Sequence, residues 1–457
     1  MSLKVLLVGS EAAPYVKTGG LGDVLGVLPK ALQEQGIDAR VIFPKHHIAK
    51  LDHLEEIARF SIGMGYGAKE AKVYKVDNSD SVYTVENDHF FWRDGLYGYG
   101  DDHERYYFFT KAVLEFIKTI EFKPDIIHFN DWQVGMGSFI LKEVYHDDPF
   151  YKDIKTLFSI HNIQHQGNFD RGILHSIDVS DYYFTSDKIE LYGRVSYMKA
   201  GIMYSDVVST VSKKYAKEIQ TPAFGFGLDG AMASRKKDLY GIINGIEYDD
   251  DIEFMNAPKD RAYLQEKLGL PRRDVPVIAL ISRLVEQKGI DILSVAMSEL
   301  LNMDIQLIVL GTGEYRYEEM FKGYNRIFDN FSANIYFDVD LSMDIYKHAD
   351  MFLMPSLFEP CGLAQMISMK YGTVPIVRKT GGLEDTVTHF DKESGEGNGF
   401  SFEDYDANGL MWAVRNAMET FNDPEAWDKV VQNAKDSRFT VEDSAKKYIK
   451  LYEKMRG

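Results

Sequence analysis

Residues 4–36 read "KVLLVGSEAAPYVKTGGLGDVLGVLPKALQEQG". The first part, "KVLLVG" (4–9), is a short apolar run closed by glycine, the pattern of a buried strand. The last part, "LGDVLGVLPKALQEQG" (21–36), carries its apolar residues at helical spacing. A strand, a Gly-rich loop and a helix in that order open a parallel α/β sheet, where ligands bind beyond the carboxyl ends of strands. Gly19 and Gly20 at the helix start let backbone N–H groups approach an anion, and the helix dipole favours negative charge there. Lys17 adds a point charge. The plainer alternative is a Gly-rich turn beside a solvated lysine. Neither the dinucleotide fingerprint G-x-G-x-x-G nor the P-loop G-x-x-x-x-G-K-[ST] can be read in this stretch.

The same alternation of short apolar runs and helix-like segments continues along the chain. Strand candidates follow at 38–44, 125–130, 155–162 and 206–212. A second series lies at 276–283, 305–311, 334–339, 351–356 and 374–379. The Asp-, Asn- and Pro-rich stretch "NGIEYDDDIEFMNAPKD" (244–260) reads as a hinge between two doubly wound domains, predicted at 1–247 and 248–436. Segment 61–109 alternates and is rich in aromatics, which fits an antiparallel addition to the first sheet or a loop excursion. The end of the chain, "VEDSAKKYIKLYEKMR", is helical by period. The second series contains "KTGGLEDT" (379–386), matching "KTGGLGDV" (17–24) in six of eight letters. It too follows a predicted strand and precedes a helix-compatible run, which favours a functional reading over coincidence, although the two copies need not do the same job.

A length of 457 residues exceeds what one hydrophobic core normally serves. The formal charge of −18 excludes a general nucleic-acid binder, which needs a basic face, so an anionic substrate must meet a local cluster of Lys and Arg. Cys361 is the single cysteine, which rules out a disulfide framework and suits a reducing compartment. No apolar run reaches the ~20 residues that span a bilayer. The opening run "LKVLLVGS" carries no signal- or transit-peptide pattern, and the expected location is the cytoplasm.

Four further stretches carry chemistry. "SRLVEQKG" (282–289) places Arg283 and Lys288 at a strand end, where a planar fork and a compact charge can reach one diphosphate; the plainer alternative is a pair of solvated surface cations. "MPSLFEPCGLAQ" (354–365) puts Glu359 after a buried-looking strand, where a carboxylate can bind a sugar or stabilise positive charge at an anomeric carbon; taken alone, an exposed loop carboxylate is the plainer alternative. "HFNDW" (128–132) and "IHNIQHQG" (160–167) end strands with His, Asn and Asp placed to grip hydroxyls. A metal site on His128, His161 and His165 is the competing idea, but these lack an H-E-x-x-H arrangement and a carboxylate partner set, so no metal is expected.

Taken together and in order, these motifs resemble those of bacterial glycogen synthase and plant starch synthase, retaining glucosyltransferases that extend α-1,4-glucan from ADP-glucose. "FGFGLDG" (224–230), "DLYGIINGIEYD" (238–249) and "YGTVPIVRKTGGLEDTV" (371–387) complete a likeness running nearly end to end. The resemblance implies the glycosyltransferase B fold: two Rossmann-like α/β domains facing a central cleft, no cofactor and no metal. It also implies that the final helix, 437–457, crosses back to the first domain.

By matching position, the resemblance assigns Lys17, Gly19, Gly20 and Asp23 to the donor side of the first domain, with His161 and Asn162 beside the donor glucose. Asp131 is expected near the acceptor and Asn244 in the cleft. Arg283 and Lys288 should hold the diphosphate and stabilise it as it leaves. Glu359 should grip the glucose and support the oxocarbenium-like state, next to Cys361, Gly362 and Leu363. Thr380, Gly381 and Gly382 should line the phosphate site, and Phe337 should stack on the nucleobase. The implied course is front-face attack by the acceptor 4-hydroxyl with retention, the departing phosphate helping to remove its proton. Ile367 stands where the wider fold group often has a second Glu.

Departures from the family pattern are Gln133 after "DW", His165 where Tyr is usual, and "NIYFDVDL" around Tyr336 and Phe337. They bear on acceptor preference and on ADP against UDP. Competing readings are an NAD-dependent dehydrogenase, which lacks its glycine fingerprint, an α-glucan phosphorylase, which needs a Lys-bound pyridoxal phosphate, and a non-catalytic glucan-binding relative.

Overall fold

A computed structural model describes residues 2–77, 79–248, 255 and 257–457. Most of the central part of the expected hinge, 249–254 and 256, lies outside the described residues. The chain divides into two compact α/β units, 1–211 with 216–242 and 441–457, and 212–215 with 243–440.

The first unit is built on a nine-stranded sheet. Its strands are β1 (Lys4–Val8), β2 (Asp38–Pro44), β3 (Leu54–Met64), β4 (Gly67–Val76), β5 (Val82–Glu86), β6 (Ile126–Asn130), β7 (Lys155–Ile160), β11 (Val207–Thr210) and β12 (Leu239–Gly241). A separate three-stranded sheet holds β8 (Asn168–Asp170), β9 (Glu190–Leu191) and β10 (Arg194–Ser196). The large sheet runs β12-β11-β7-β6-β1-β2-β5-β4-β3. It is parallel from β12 to β5, and β3 and β4 are antiparallel. Segment 61–109 therefore gives both an antiparallel extension and, in β5, one more parallel strand.

β1, β6 and β7 are buried along almost their whole length because helices cover both faces, so their sequences read as continuous apolar runs. Helix Gly20–Glu34 turns Leu25, Leu28 and Leu32 into a core shared with Val5, Leu7 and Val41. Helix Val441–Arg456 adds Ala445, Tyr448 and Tyr452 to that same core. Gln35 Nε2 donates to the Glu442 carbonyl at 3.1 Å and ties the two helices together.

The second unit holds one six-stranded parallel sheet, β15-β14-β13-β16-β17-β18. The strands are β13 (Val277–Ile281), β14 (Gln306–Leu310), β15 (Phe331–Asn334), β16 (Met351–Met354), β17 (Val374–Arg378) and β18 (Phe400–Phe402). The strand expected at 334–339 is a correction: β15 ends at Asn334, and a helix, Val339–His348, starts where the strand was predicted to continue. The cause is local. The Asp338 carboxylate accepts from Leu341 N at 2.9 Å and caps the helix.

In each sheet the strand order reverses beside one central strand. The chain moves outward from β1 to β2 and returns on its other side as β6. In the second unit it moves from β13 to β14 and β15, then returns as β16. Such switch points are where open α/β sheets hold ligands. The loops leaving β1 and β6, and those leaving β13 and β16, carry most of the residues singled out above.

Candidate active site

In the first unit the β1 loop is shaped by a buried acid. The Glu11 carboxylate accepts from the Thr18 amide and from Thr18 Oγ1 at 3.1 Å, which sets the path of the chain into "KTGG". Burial raises the Glu11 pKa. Gly22 is required here, since a Cβ on it would lie 2.5 Å from the Lys17 Cβ. Gly19 and Gly20 differ: a Cβ on either would meet nothing within 4 Å. Their amides have no hydrogen-bond partner among the described residues. The helix that starts at Gly20 has no side-chain cap either, so its N-terminus presents unpaired donors. Lys17 Nζ is 2.8 Å from Asp23 Oδ1, and both side chains are exposed.

At the end of β6, Asn130 and Asp131 fix His161. Asn130 Nδ2 donates to the carbonyls of Val8 and His128, at 3.2 and 2.9 Å, which orients the amide. Its Oδ1 therefore faces His161 Nε2 at 3.0 Å, and that nitrogen carries the proton. Burial pushes His161 down to about 4, so the ring is neutral at ordinary pH and keeps Nδ1 as an acceptor. Asp131 has φ +61°, and its Oδ1 accepts from the amides of His161 (2.7 Å) and Asn162 (3.4 Å). Burial raises Asp131 to about 7 against those two bonds. Asp131 thus holds the 161–162 backbone. Asn162 Oδ1 accepts from the Gln164 amide at 3.0 Å.

His128 corrects the expectation that the whole "HFNDW" run faces a ligand. It is buried, with Nε2 2.5 Å from Ser159 Oγ and Nδ1 2.8 Å from the Tyr452 hydroxyl, and so anchors the C-terminal helix. Gln133 is buried, with Oε1 left without a partner among the described residues.

A cavity of about 530 Å³ that no motif announced lies in this unit next to Trp132. Its apolar walls are Tyr97, Trp132, Phe169 and Phe226, and Asp102, Gln164, His165 and Asn168 supply polar groups. Trp132 stands 5.9 Å from Phe169 and 6.5 Å from Tyr97, ring centre to ring centre. The residues come from five separate stretches of chain. Only Trp132, the 164–167 run and Phe226, within "FGFGLDG", belonged to a motif.

In the second unit the β13 and β16 loops meet through an ion pair. Lys288 Nζ lies 2.6 Å from Glu359 Oε2, which also accepts from Ser356 Oγ at 3.1 Å. Both partners are largely shielded from solvent. The two residues, assigned separately to phosphate and sugar, are therefore directly coupled. Arg283, on the same loop as Lys288, is exposed. It reaches Gln287 Oε1 at 3.3 Å and has no carboxylate partner among the described residues.

The β17 loop locks onto this site. A Cβ on Gly381 (φ +45°) would lie 2.0 Å from the Glu359 carbonyl oxygen, and one on Gly382 would lie 1.9 Å from that of Cys361. The Gly382 amide donates to the Glu359 carbonyl at 3.0 Å. That amide is thus committed to the Glu359 loop. Thr380 is buried and begins the short helix Gly381–Thr386. Gly362 (φ +71°) leaves room for the Gln365 side chain, whose Nε2 donates to the carbonyls of Cys361 (3.1 Å) and Gly362 (2.9 Å). Leu363 starts the helix Ala364–Lys370.

Cys361 is buried with Sγ 4.0 Å from the Asn244 carbonyl, and burial pushes its thiol up to about 12, so it is no nucleophile. Asn244 is buried and its Oδ1 has no partner among the described residues. Phe337 is 84% exposed on the loop after β15. Among the described residues no group of three His, Cys, Asp or Glu side chains is arranged for a metal ion, and no helix is long and apolar enough to cross a membrane.

Residues 4–234 match the family described as starch synthase catalytic domain, and residues 264–436 match glycosyl transferases group 1. The chain is 46% identical to the glycogen synthase of Clostridioides difficile, covering 98% of this chain and 99% of that protein. It belongs to the glycogen and starch synthase family. The glycogen synthase of Clostridium perfringens is also 46% identical, over 99% of this chain and 98% of the relative. Among solved structures, the catalytic domain of starch synthase IV from Arabidopsis thaliana, bound to ADP and acarbose, aligns over 100% of both chains at 30% identity and a TM-score of 0.91. A sucrose-phosphate synthase from Thermosynechococcus elongatus shares the fold at 18% identity and a TM-score of 0.64, covering 99% of each chain. This synthase-family chain is a glycosyltransferase with the two-domain, Rossmann-like B architecture.

Proposed function

We propose that the protein transfers glucose from ADP-glucose to the non-reducing 4-hydroxyl of an α-1,4-glucan, with retention of anomeric configuration. The observation that carries this is the Lys288–Glu359 pair at the switch point of the second unit, with Arg283 exposed on the same loop. A lysine ammonium has three donors, and Glu359 Oε2 takes one. The others, with the Arg283 fork, suit a diphosphate whose charge grows as the bond to the sugar breaks.

In this reading the C1–O bond to the β-phosphate breaks and a C1–O bond to the acceptor forms on the same face. The hydroxyl proton passes to the departing phosphate, and ADP leaves. Glu359 Oε1, unused within the protein among the described residues, accepts from a glucose hydroxyl and offsets positive charge at C1. Neutral His161 accepts a sugar hydroxyl through Nδ1. Lys17 and the Gly19–Gly20 amides serve the donor, as does Phe337 by stacking on its base. Thr380 and Gly381 act by supporting the Glu359 loop. The Trp132 cavity takes the glucan acceptor, since flat apolar walls with a few polar groups suit pyranose rings. The single, buried Cys361 supports a cytoplasmic location.

Incubation with ADP-[14C]glucose and glycogen should place label in ethanol-insoluble polymer. No incorporation from either ADP- or UDP-glucose would sink the proposal.

A further inference from the structure

The acceptor cavity has an aromatic margin that the reading above does not use. β9 and β10 are joined by Tyr192 and Gly193 alone, Leu191 pairing directly with Arg194. Both linking residues have positive φ, +49° and +79°, the geometry of a type I′ turn. That turn favours Asn-Gly, and a bulky residue at its first position is strained. Tyr192 is nevertheless there, with its side chain in solvent at 81% exposure.

Its ring lies over Gly227, where a Cβ would come within 2.7 Å of the Tyr192 Cε2. The Tyr192 hydroxyl has no hydrogen-bond partner among the described residues. The residue before Gly227 is Phe226, also at positive φ (+49°), also exposed, and part of the cavity wall. Gln166 Nε2 holds the Phe226 carbonyl at 2.9 Å, so the position of this segment is fixed. Two aromatic residues in a backbone region that they rarely adopt thus stand side by side, one inside the cavity and the other just beyond it.

We propose that Tyr192, continuing the wall that ends at Phe226, is a further acceptor subsite that stacks on glucosyl units extending past the cavity. This rests on the glucan-transfer reading of the cavity. The occupant follows from continuity and chemistry. A chain bound among Tyr97, Trp132, Phe169 and Phe226 leaves over the next aromatic face, and pyranose C–H faces stack on flat rings whose phenol can bond a hydroxyl. Tyr192 therefore sets a preference for longer acceptors.

The test compares kcat/KM for maltotriose, maltoheptaose and glycogen at saturating ADP-glucose. In Tyr192→Ala and Tyr192→Asn, the preference for maltoheptaose over maltotriose should fall by about three- to tenfold, and Tyr192→Phe should retain most of it. Asn suits the turn better than Tyr, so Tyr192→Asn should have an equal or higher Tm, which separates lost stacking from damage. A Tyr192→Asn enzyme with the wild-type length preference overturns the subsite, as does an equal loss on all three acceptors. A wild type that elongates no α-glucan is a different failure, because it overturns the glucan-transfer reading itself and the subsite with it.

Discussion

The chain spells "KTGGL" twice, and the two copies use their glycines for opposite purposes. In the first copy a Cβ on Gly19 or Gly20 would meet nothing within 4 Å, and their amides are unspent among the described residues. In the second, Gly381 and Gly382 press against the carbonyl oxygens of Glu359 and Cys361, and one amide is consumed in doing so. Each lysine is also paired: Lys17 with Asp23, and Lys379 with Glu403, at 2.8 Å in both cases. Equal letters after equal strands thus give a helix terminus with open donors in one unit and a buttress for the Glu359 loop in the other. A glycine can be needed because a ligand must come close or because the protein already does, and only the neighbouring atoms tell which.

The sharpest way to break that contrast is to add a methyl group to each copy. Gly382→Ala should cost about 3 kcal/mol or more, because its Cβ has no room and the opposing atom is backbone. The second unit should then melt early, as thermal unfolding would report. Gly20→Ala should stay within about 0.5 kcal/mol of wild type in stability, while raising the KM for ADP-glucose. A stable Gly382→Ala enzyme, or an unstable Gly20→Ala one, would reverse the assignment.

Next in size is the ion pair that the second copy supports. Lys288→Ala leaves Glu359 shielded and unpaired, and should destabilise by about 2–4 kcal/mol in denaturant titration, besides removing turnover. Lys379→Ala, which breaks an exposed pair, should cost under about 1 kcal/mol.

The first unit offers a pH-dependent test. Asp131 has its pKa raised from 3.8 to about 7 in the folded protein. It therefore contributes most stability below the unfolded value, and that contribution is lost as pH rises through about 7. Asp131→Asn should remove this loss. Its stability gain over wild type should be small near pH 4, grow to about 4 kcal/mol by pH 7.5 and then level off. A gain that shrinks as pH rises would contradict the assigned direction.

Most of the central strands were legible because buried parallel strands have no polar face, so runs such as "KVLLV" and "IQLIVL" announce themselves, whereas their order in the sheet was not. The stretch 334–339 misled because its apolar residues suit a strand, whereas Asp338 acts as a helix cap. The site was legible as residue types at strand ends but not as partnerships. Lys288 and Glu359 are 71 positions apart, and nothing local says that they pair. Asp131 looked like a ligand group, yet its short side chain reaches the backbone of the next strand's loop first. Cavity walls gathered from residues 97 to 226 leave no periodic trace at all.

The central claim is that the first copy serves the donor and the second serves the fold. It is met most directly by the KM for ADP-glucose in labelled transfer to glycogen, measured for wild type, Lys17→Ala and Lys379→Ala. Wild type should incorporate label, Lys17→Ala should raise the donor KM about tenfold, and Lys379→Ala should stay within about twofold, since exposed pairs contribute little. Equal effects of the two substitutions would contradict the account.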